Sequence, residues 1–159
     1  MPAHPDTRIG HVHLKVTDLD RSITFYRDVI GLEVTQTYGA QAAFLSAGGY
    51  HHHIGLNTWH SKNGPRPDPR APGLYHTAFV YPDRATLAQA LRTAIDAGVE
   101  IEGAADHGVS EAIYFSDPDG NGIEIYRDRA PEEWPRDASG TLQMINAPLD
   151  LKALLAEGA

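Results

Sequence analysis

Two histidines open matching strand-like runs in this chain of 159 residues, His11 in HVHLKV and His76 in HTAFVY. A third residue able to do chemistry, Glu124, stands between two isoleucines in DPDGNGIEIY. Period-two alternation puts Glu124 and Tyr126 on one strand face, with Ile123 and Ile125 on the other. A carboxylate on such a strand is costly to bury alone, and a metal or another cation resolves that cost. Singly, a strand histidine is most often a half-buried surface residue and a strand glutamate a solvated one. Two histidines and one carboxylate at corresponding points of a repeated unit carry more weight. That set suits a facial non-haem Fe(II) site with open positions for substrate and oxygen, and Mn, Zn or Ni fit the same ligands.

A run of three histidines, residues 51–53 in GYHHHIGLNTW, lies in mid-chain between a glycine pair and an apolar stretch. A purification tag sits at a terminus, so this run is read as part of the protein. On strand alternation His51 and His53 share one face and His52 takes the other.

The elements that must position these residues follow a repeating order. IGHVHLKV alternates, with His11, His13 and Lys15 on one face and Val12, Leu14 and Val16 on the other. TDLDRSITFYRDVIG reads as a helix capped by Asp18 or Asp20, with Ile23, Tyr26 and Ile30 at helical spacing and Gly31 as its stop. Three short strands follow, separated by glycine-bearing turns. Residues 60–73 hold four prolines and read as a stiff linker between halves, or a loop over a pocket. The pattern then restarts with the strand LYHTAFVYP and the helix DRATLAQALRTAIDAGV, whose Leu87, Leu91 and Ile95 form an apolar stripe. Further strands flank the turn DPDGNG. The order β-α-β-β-β thus occurs twice, predicting an α+β fold with modules at 9–57 and 74–128, a linker at 58–73 and an extension at 129–159. Leu149, Leu151, Leu154 and Leu155 suggest a short helix in that extension, packed on the body or a partner.

Composition narrows the function. There is no cysteine, so disulfides and thiolate chemistry are excluded and any metal must be held by His, Asp, Glu or water. The net charge of -8, without a basic cluster, excludes ordinary nucleic-acid binding. No apolar run reaches membrane-span length and the N-terminal residues lack a signal-peptide core, so no membrane association and a cytoplasmic location are expected.

The duplicated unit, the openings HVHLKVTDLDRSITFY and LYHTAFVY, and the ending DPDGNGIEIY resemble the vicinal oxygen chelate superfamily. That superfamily includes glyoxalase I, extradiol dioxygenases and bleomycin-resistance proteins. The resemblance covers residues 9–128 and is nearest to catechol 2,3-dioxygenase-like proteins. It implies paired modules forming a half-open barrel around Fe(II) held by His11, His76 and Glu124. It implies roles in catalysis for Tyr114, for His107 shortly before it, and for an acid-base histidine at the end of the first module. Counting back from Gly55 favours His52, whereas the fourth metal ligand of glyoxalase-type enzymes falls near His53; both stand as candidates. The implied partners are a small aromatic substrate and dioxygen, with Trp59, Phe44 or Phe115 available to stack against a ring. Most such dioxygenases carry two paired-module domains; with one here, a homodimer contact through the apolar extension is expected. The alternatives are a non-catalytic module that binds an aromatic ligand and a glyoxalase-like metal-dependent isomerase or lyase.

Overall fold

The first strand is shorter than its alternating sequence. In the computed structural model, which describes residues 1–157, β1 is Val12–Lys15, so His11 lies just before it. The alternation itself holds: His13 and Lys15 are exposed while Leu14 and Val16 are buried. Helix α1 (Leu19–Asp28) starts at Asp18, whose side chain accepts a hydrogen bond from the Arg21 amide at 3.0 Å. Its inward face is Leu19, Ser22, Phe25 and Tyr26; Ile23, expected there, is half-buried. Gly31 ends the turn after it with φ +86°.

β2 (Glu33–Tyr38), β3 (Ala42–Ser46) and β4 (Ile54–Asn57) complete the first sheet in the order β1-β4-β3-β2. The central pair, β3 and β4, is almost wholly buried, whereas edge strand β2 is exposed along its length. β1 and β4 run parallel, with His13 opposite Gly55. Parallel neighbours require a crossover, and α1 with the β2–β3 hairpin supplies it.

The second unit repeats this order. β5 (His76–Val80) lies parallel to β8 (Gly122–Asp128), with β6 (Gly103–Asp106) and β7 (Ser110–Ser116) beyond it. Helix α2 (Arg84–Asp96) is capped reciprocally by Asp83 and Thr86. Leu87 and Leu91 are fully buried as the periodicity predicts, but Ile95 is 44% exposed and Ala94 takes its place. Each i+4 step advances about 40° around a helix of 3.6 residues per turn, so two steps carry Ile95 off the stripe, while i+7 returns to it. The turn 117–122 is closed by Asp117, whose Oδ1 accepts from the amides of Asp119 and Asn121, both at 2.9 Å.

The chain divides into two compact units, Met1–Pro67 and Asp68–Ala159, the boundary falling within the proline-rich loop. The extension is an integral piece of the second. β9 (Ala147–Pro148) adds to the β6 edge, and α3 (Leu151–Glu157) packs on α2. Leu154 is fully buried there, and the Leu155 carbonyl accepts from Arg92 at 2.7 Å. Leu154 thus meets its own unit, one of the two placements expected for this helix; positions 158 and 159 lie outside the described residues. Among the described residues no helix is long and apolar enough to cross a membrane.

A buried ion cluster ties these pieces together. Glu111, 4% exposed, accepts from Arg127 at 2.8 Å and Arg84 at 3.0 Å, with Arg129 at 3.5 Å. Arg84 also pairs with Glu157 of α3, and Arg129 with Asp106 at 2.5 Å. Removing one member of such a group strands its partners' charge in a low dielectric.

Leu154→Ala is expected to lower stability by about 2–5 kcal/mol in urea titration, as for other large-to-small core changes. Ile95→Ala is expected to stay within about 0.5 kcal/mol of the parent.

Candidate functional site

Sequence reasoning singles out seven residues; three lie in the first unit (His11, His52, His53) and four in the second (His76, His107, Tyr114, Glu124). The second group is contiguous. Pairing of β5 with β8 sets His76 opposite Gly122 and Ala78 opposite Glu124, so His76 and Glu124 project from the same sheet face. Their side chains meet, His76 Nε2 to Glu124 Oε2 at 2.9 Å. Antiparallel pairing of β7 with β8 sets Tyr114 directly opposite Glu124, and its hydroxyl lies 3.1 Å from Oε1. His107, at the end of β6, brings Nε2 to 2.7 Å from that hydroxyl. The result is one hydrogen-bonded row, His76–Glu124–Tyr114–His107. Burial, the Glu124 charge and the hydrogen bond to it push the Tyr114 hydroxyl up to about 12, so it is a neutral phenol at physiological pH.

The donor set fits a divalent metal. Two ligands on adjacent corners of an octahedron, with bonds of about 2.1 Å, place their donor atoms about 3.0 Å apart. His76 and Glu124 already have that spacing. Glu124 retains only 13% of its side-chain exposure, and Tyr114 at its second oxygen is the outer support a metal-binding carboxylate ordinarily has. Within each unit, among the described residues, no three His, Asp or Glu side chains converge to hold a metal.

In the first unit His11 and His52 are neighbours, with ring centroids 4.3 Å apart. The strict alternation expected for residues 51–53 does not hold. β4 begins only at Ile54, with His53 tied in by main-chain bonds to Leu45 and Val12, and ahead of it the period of two no longer governs side-chain direction. His51 and His52 meet through their Nδ1 atoms at 2.7 Å. His53 turns to Ser46, whose Oγ lies 2.9 Å from its Nδ1, and packs on Tyr50. Burial, then the nearby rings of His11, His51, His13 and His53, hold His52 below the ordinary histidine range. At neutral pH it is the uncharged ring, the form that takes up a proton.

Sequence reasoning passed over His13 and Asn57. His13 lies on the His11 face of β1, stacks beside Phe44 and Trp59 at 5.9 Å each, and meets Asn57 Nδ2 through Nε2 at 3.0 Å. Its two-residue offset from His11 was the available signal. Phe44 also packs on His52 at 5.1 Å, so Phe44 and Trp59 form a wall near these histidines. Phe115 is core, 1% exposed.

The two registers can be compared directly. With His11 equivalent to His76, His13 corresponds to Ala78, and the residue opposite it, Gly55, corresponds to Glu124. The first unit therefore offers no carboxylate at that point. A Cβ at Gly55 would lie 2.9 Å from the His13 ring, so the glycine also makes room for that ring.

The family model for the Glyoxalase/Bleomycin resistance protein/Dioxygenase superfamily matches residues 8–125. The chain belongs to this superfamily. It is 42% identical to a catechol-2,3-dioxygenase of Bacillus subtilis (strain 168) over 154 residues, 97% of this chain and 53% of that protein. It is 33% identical to biphenyl-2,3-diol 1,2-dioxygenase 3 of Rhodococcus globerulus, over 79% of this chain and 67% of the relative. The chain thus spans about half the length of the first of these and two thirds of the second. Among solved structures, a glyoxalase/dioxygenase from Nostoc punctiforme superposes with a TM-score of 0.67 at 22% identity, covering 82% of this chain and 98% of that one. That likeness bears on the fold, the paired βαβββ arrangement of the superfamily.

Gly55→Ala is expected to displace the His13 ring, shifting its imidazole NMR signals, and to cost about 1–3 kcal/mol in stability through overpacking.

Proposed function

We propose that this chain carries a metal-dependent extradiol-type ring-cleaving site for a small catecholic compound, with His11, His76 and Glu124 as the metal ligands. The observation that carries the reading is the His76–Glu124 pair, set at the spacing of adjacent metal ligands and backed by Tyr114 and His107. The names of the catechol and biphenyl-diol dioxygenases to which the chain is similar support the reaction class.

Fe(II), the proposed metal, would supply adjacent sites for the two catechol oxygens and for dioxygen. The chain's own residues then have separable duties. His52, with its Nδ1–H donating to His51 Nδ1, has Nε2 as the base that accepts a proton from a substrate hydroxyl and returns it later. Tyr114 remains a neutral phenol and hydrogen-bonds a substrate oxygen, while His107 holds its hydroxyl in place. Phe44 and Trp59 wall the aromatic ring. His53, bonded to Ser46, has a structural duty beside them. A glyoxalase-like isomerase with a second carboxylate ligand is disfavoured because Gly55 stands at the position equivalent to Glu124.

Anaerobically purified protein reconstituted with Fe(II) is expected to consume oxygen with a member of a catechol panel and release the yellow ring-fission product. His11→Ala, His76→Ala and Glu124→Gln should each lose the metal by elemental analysis and the activity with it. His52→Ala should keep the metal and lose roughly 10²–10⁴-fold in kcat. Fully metal-loaded protein that takes up no oxygen with any catechol would overturn the proposal, and turnover without oxygen would redirect it to the isomerase class.

A further inference from the structure

The row of side chains behind Glu124 does not end at His107. The far ring nitrogen, Nδ1, lies 2.9 Å from the main-chain carbonyl of Ile145, in the C-terminal extension. A carbonyl oxygen can only accept, so the proton on a neutral His107 ring sits on Nδ1. Nε2 is then left as an acceptor toward the Tyr114 hydroxyl at 2.7 Å.

The contact is built from several directions. The Ile145 amide donates back to the His107 carbonyl at 3.0 Å, so residues 107 and 145 are clamped reciprocally. Two residues on, β9 pairs with β6, Ala147 opposite Asp106 and Pro148 opposite Ala105. On the other side Gly108 has φ +74°, and a Cβ there would lie 2.6 Å from Pro135 Cγ and 3.2 Å from Ile145 Cγ1. Pro135 is itself tied to the same C-terminal segment, since its carbonyl accepts from the Gln143 amide at 2.8 Å. The Asp106 carboxylate accepts from the Gly108 amide at 2.8 Å and from Arg129 at 2.5 Å, fixing the turn that carries His107.

We propose that the C-terminal segment at Ile145 is a positioning element of the site, holding His107 in the Nδ1-protonated tautomer with Nε2 aimed as an acceptor at the Tyr114 hydroxyl. One phenolic proton then serves two acceptors, His107 Nε2 at 2.7 Å and Glu124 Oε1 at 3.1 Å. With the imidazole fixed as an acceptor, the phenolic proton is shared between His107 and Glu124 rather than given to Glu124 alone. An Nε2-protonated ring would reverse this, donating to the tyrosine and directing its proton to Glu124. The extension thus sets the direction of the hydrogen bonds along the row. The consequence for turnover rests on the ring-cleavage reading above; the tautomer does not.

The test separates the two. Long-range ¹H–¹⁵N correlation spectra of the metal-free, diamagnetic full chain, with His107 assigned by a His107→Gln control, report which ring nitrogen bears the proton. The parent is expected to show a pyrrole-type Nδ1 and a pyridine-type Nε2, the reverse of the form usual in free histidine. Ile145→Pro, which removes the reciprocal amide, and Gly108→Ala, which forces Pro135 and Ile145 away, are expected to lose that signature. Loaded with Fe(II), both should keep the parent's metal content and lose roughly tenfold or more in kcat, as for other outer-shell partners. A parent His107 protonated at Nε2 overturns the proposal regardless of how the variants fold. So does a variant that folds, loses the clamp and retains both the parent spectrum and the parent kcat. A parent with the Nδ1 tautomer, lost in both variants but without ring cleavage in any, upholds the positioning and removes the reaction.

Discussion

Glu124 is a carboxylate on a strand whose flanking residues are buried isoleucines, and a charge in that position must be answered by donors. The second unit is arranged around that requirement. One oxygen faces His76 across the parallel pair and the other faces Tyr114 across the antiparallel pair. Each partner is delivered by register: a slip of one residue in either ladder would turn Glu124 into the isoleucine core and His76 or Tyr114 away from it. The turn at 117–122 fixes one of those registers, and α2, packed against β8, holds the sheet's other face.

Opposite in direction but similar in logic is Glu111, on the helix side of β7. Its cross-strand neighbour is Arg127, and Arg84 reaches it from α2. Tyr114, three residues along the same strand, points to the opposite face. β7 therefore carries a satisfied buried anion on one side and a hydrogen-bonding phenol on the other. Arg84 extends the first network to α3 and Arg129 extends it to β6. The extension is thereby joined to the sheet twice, by ions at the helix and by main chain at β9.

Much of this was legible in the sequence. Alternation held at His13 to Val16 and around Glu124, because half-buried strands impose a period of two. The duplicated order of elements gave both sheets, and Asp18, one of the two caps expected, starts α1 by accepting from an exposed amide. Alternation failed between His51 and His52, ahead of β4, and the i+8 rule failed at Ile95, where a 3.6-residue helix had rotated away. The contact between His107 and Ile145 had no signature at all. It joins a side chain to a main-chain carbonyl 38 residues away, and a carbonyl looks the same in every residue type.

The duplication is unequal where it matters. Gly55 stands where the second unit has Glu124, and the ring of His13 occupies the space a longer side chain would need. Position 124 thus supplies a charge to its sheet where position 55 supplies room for an imidazole, and the same register point does opposite work in the two units because one residue has a carboxylate and the other has no side chain.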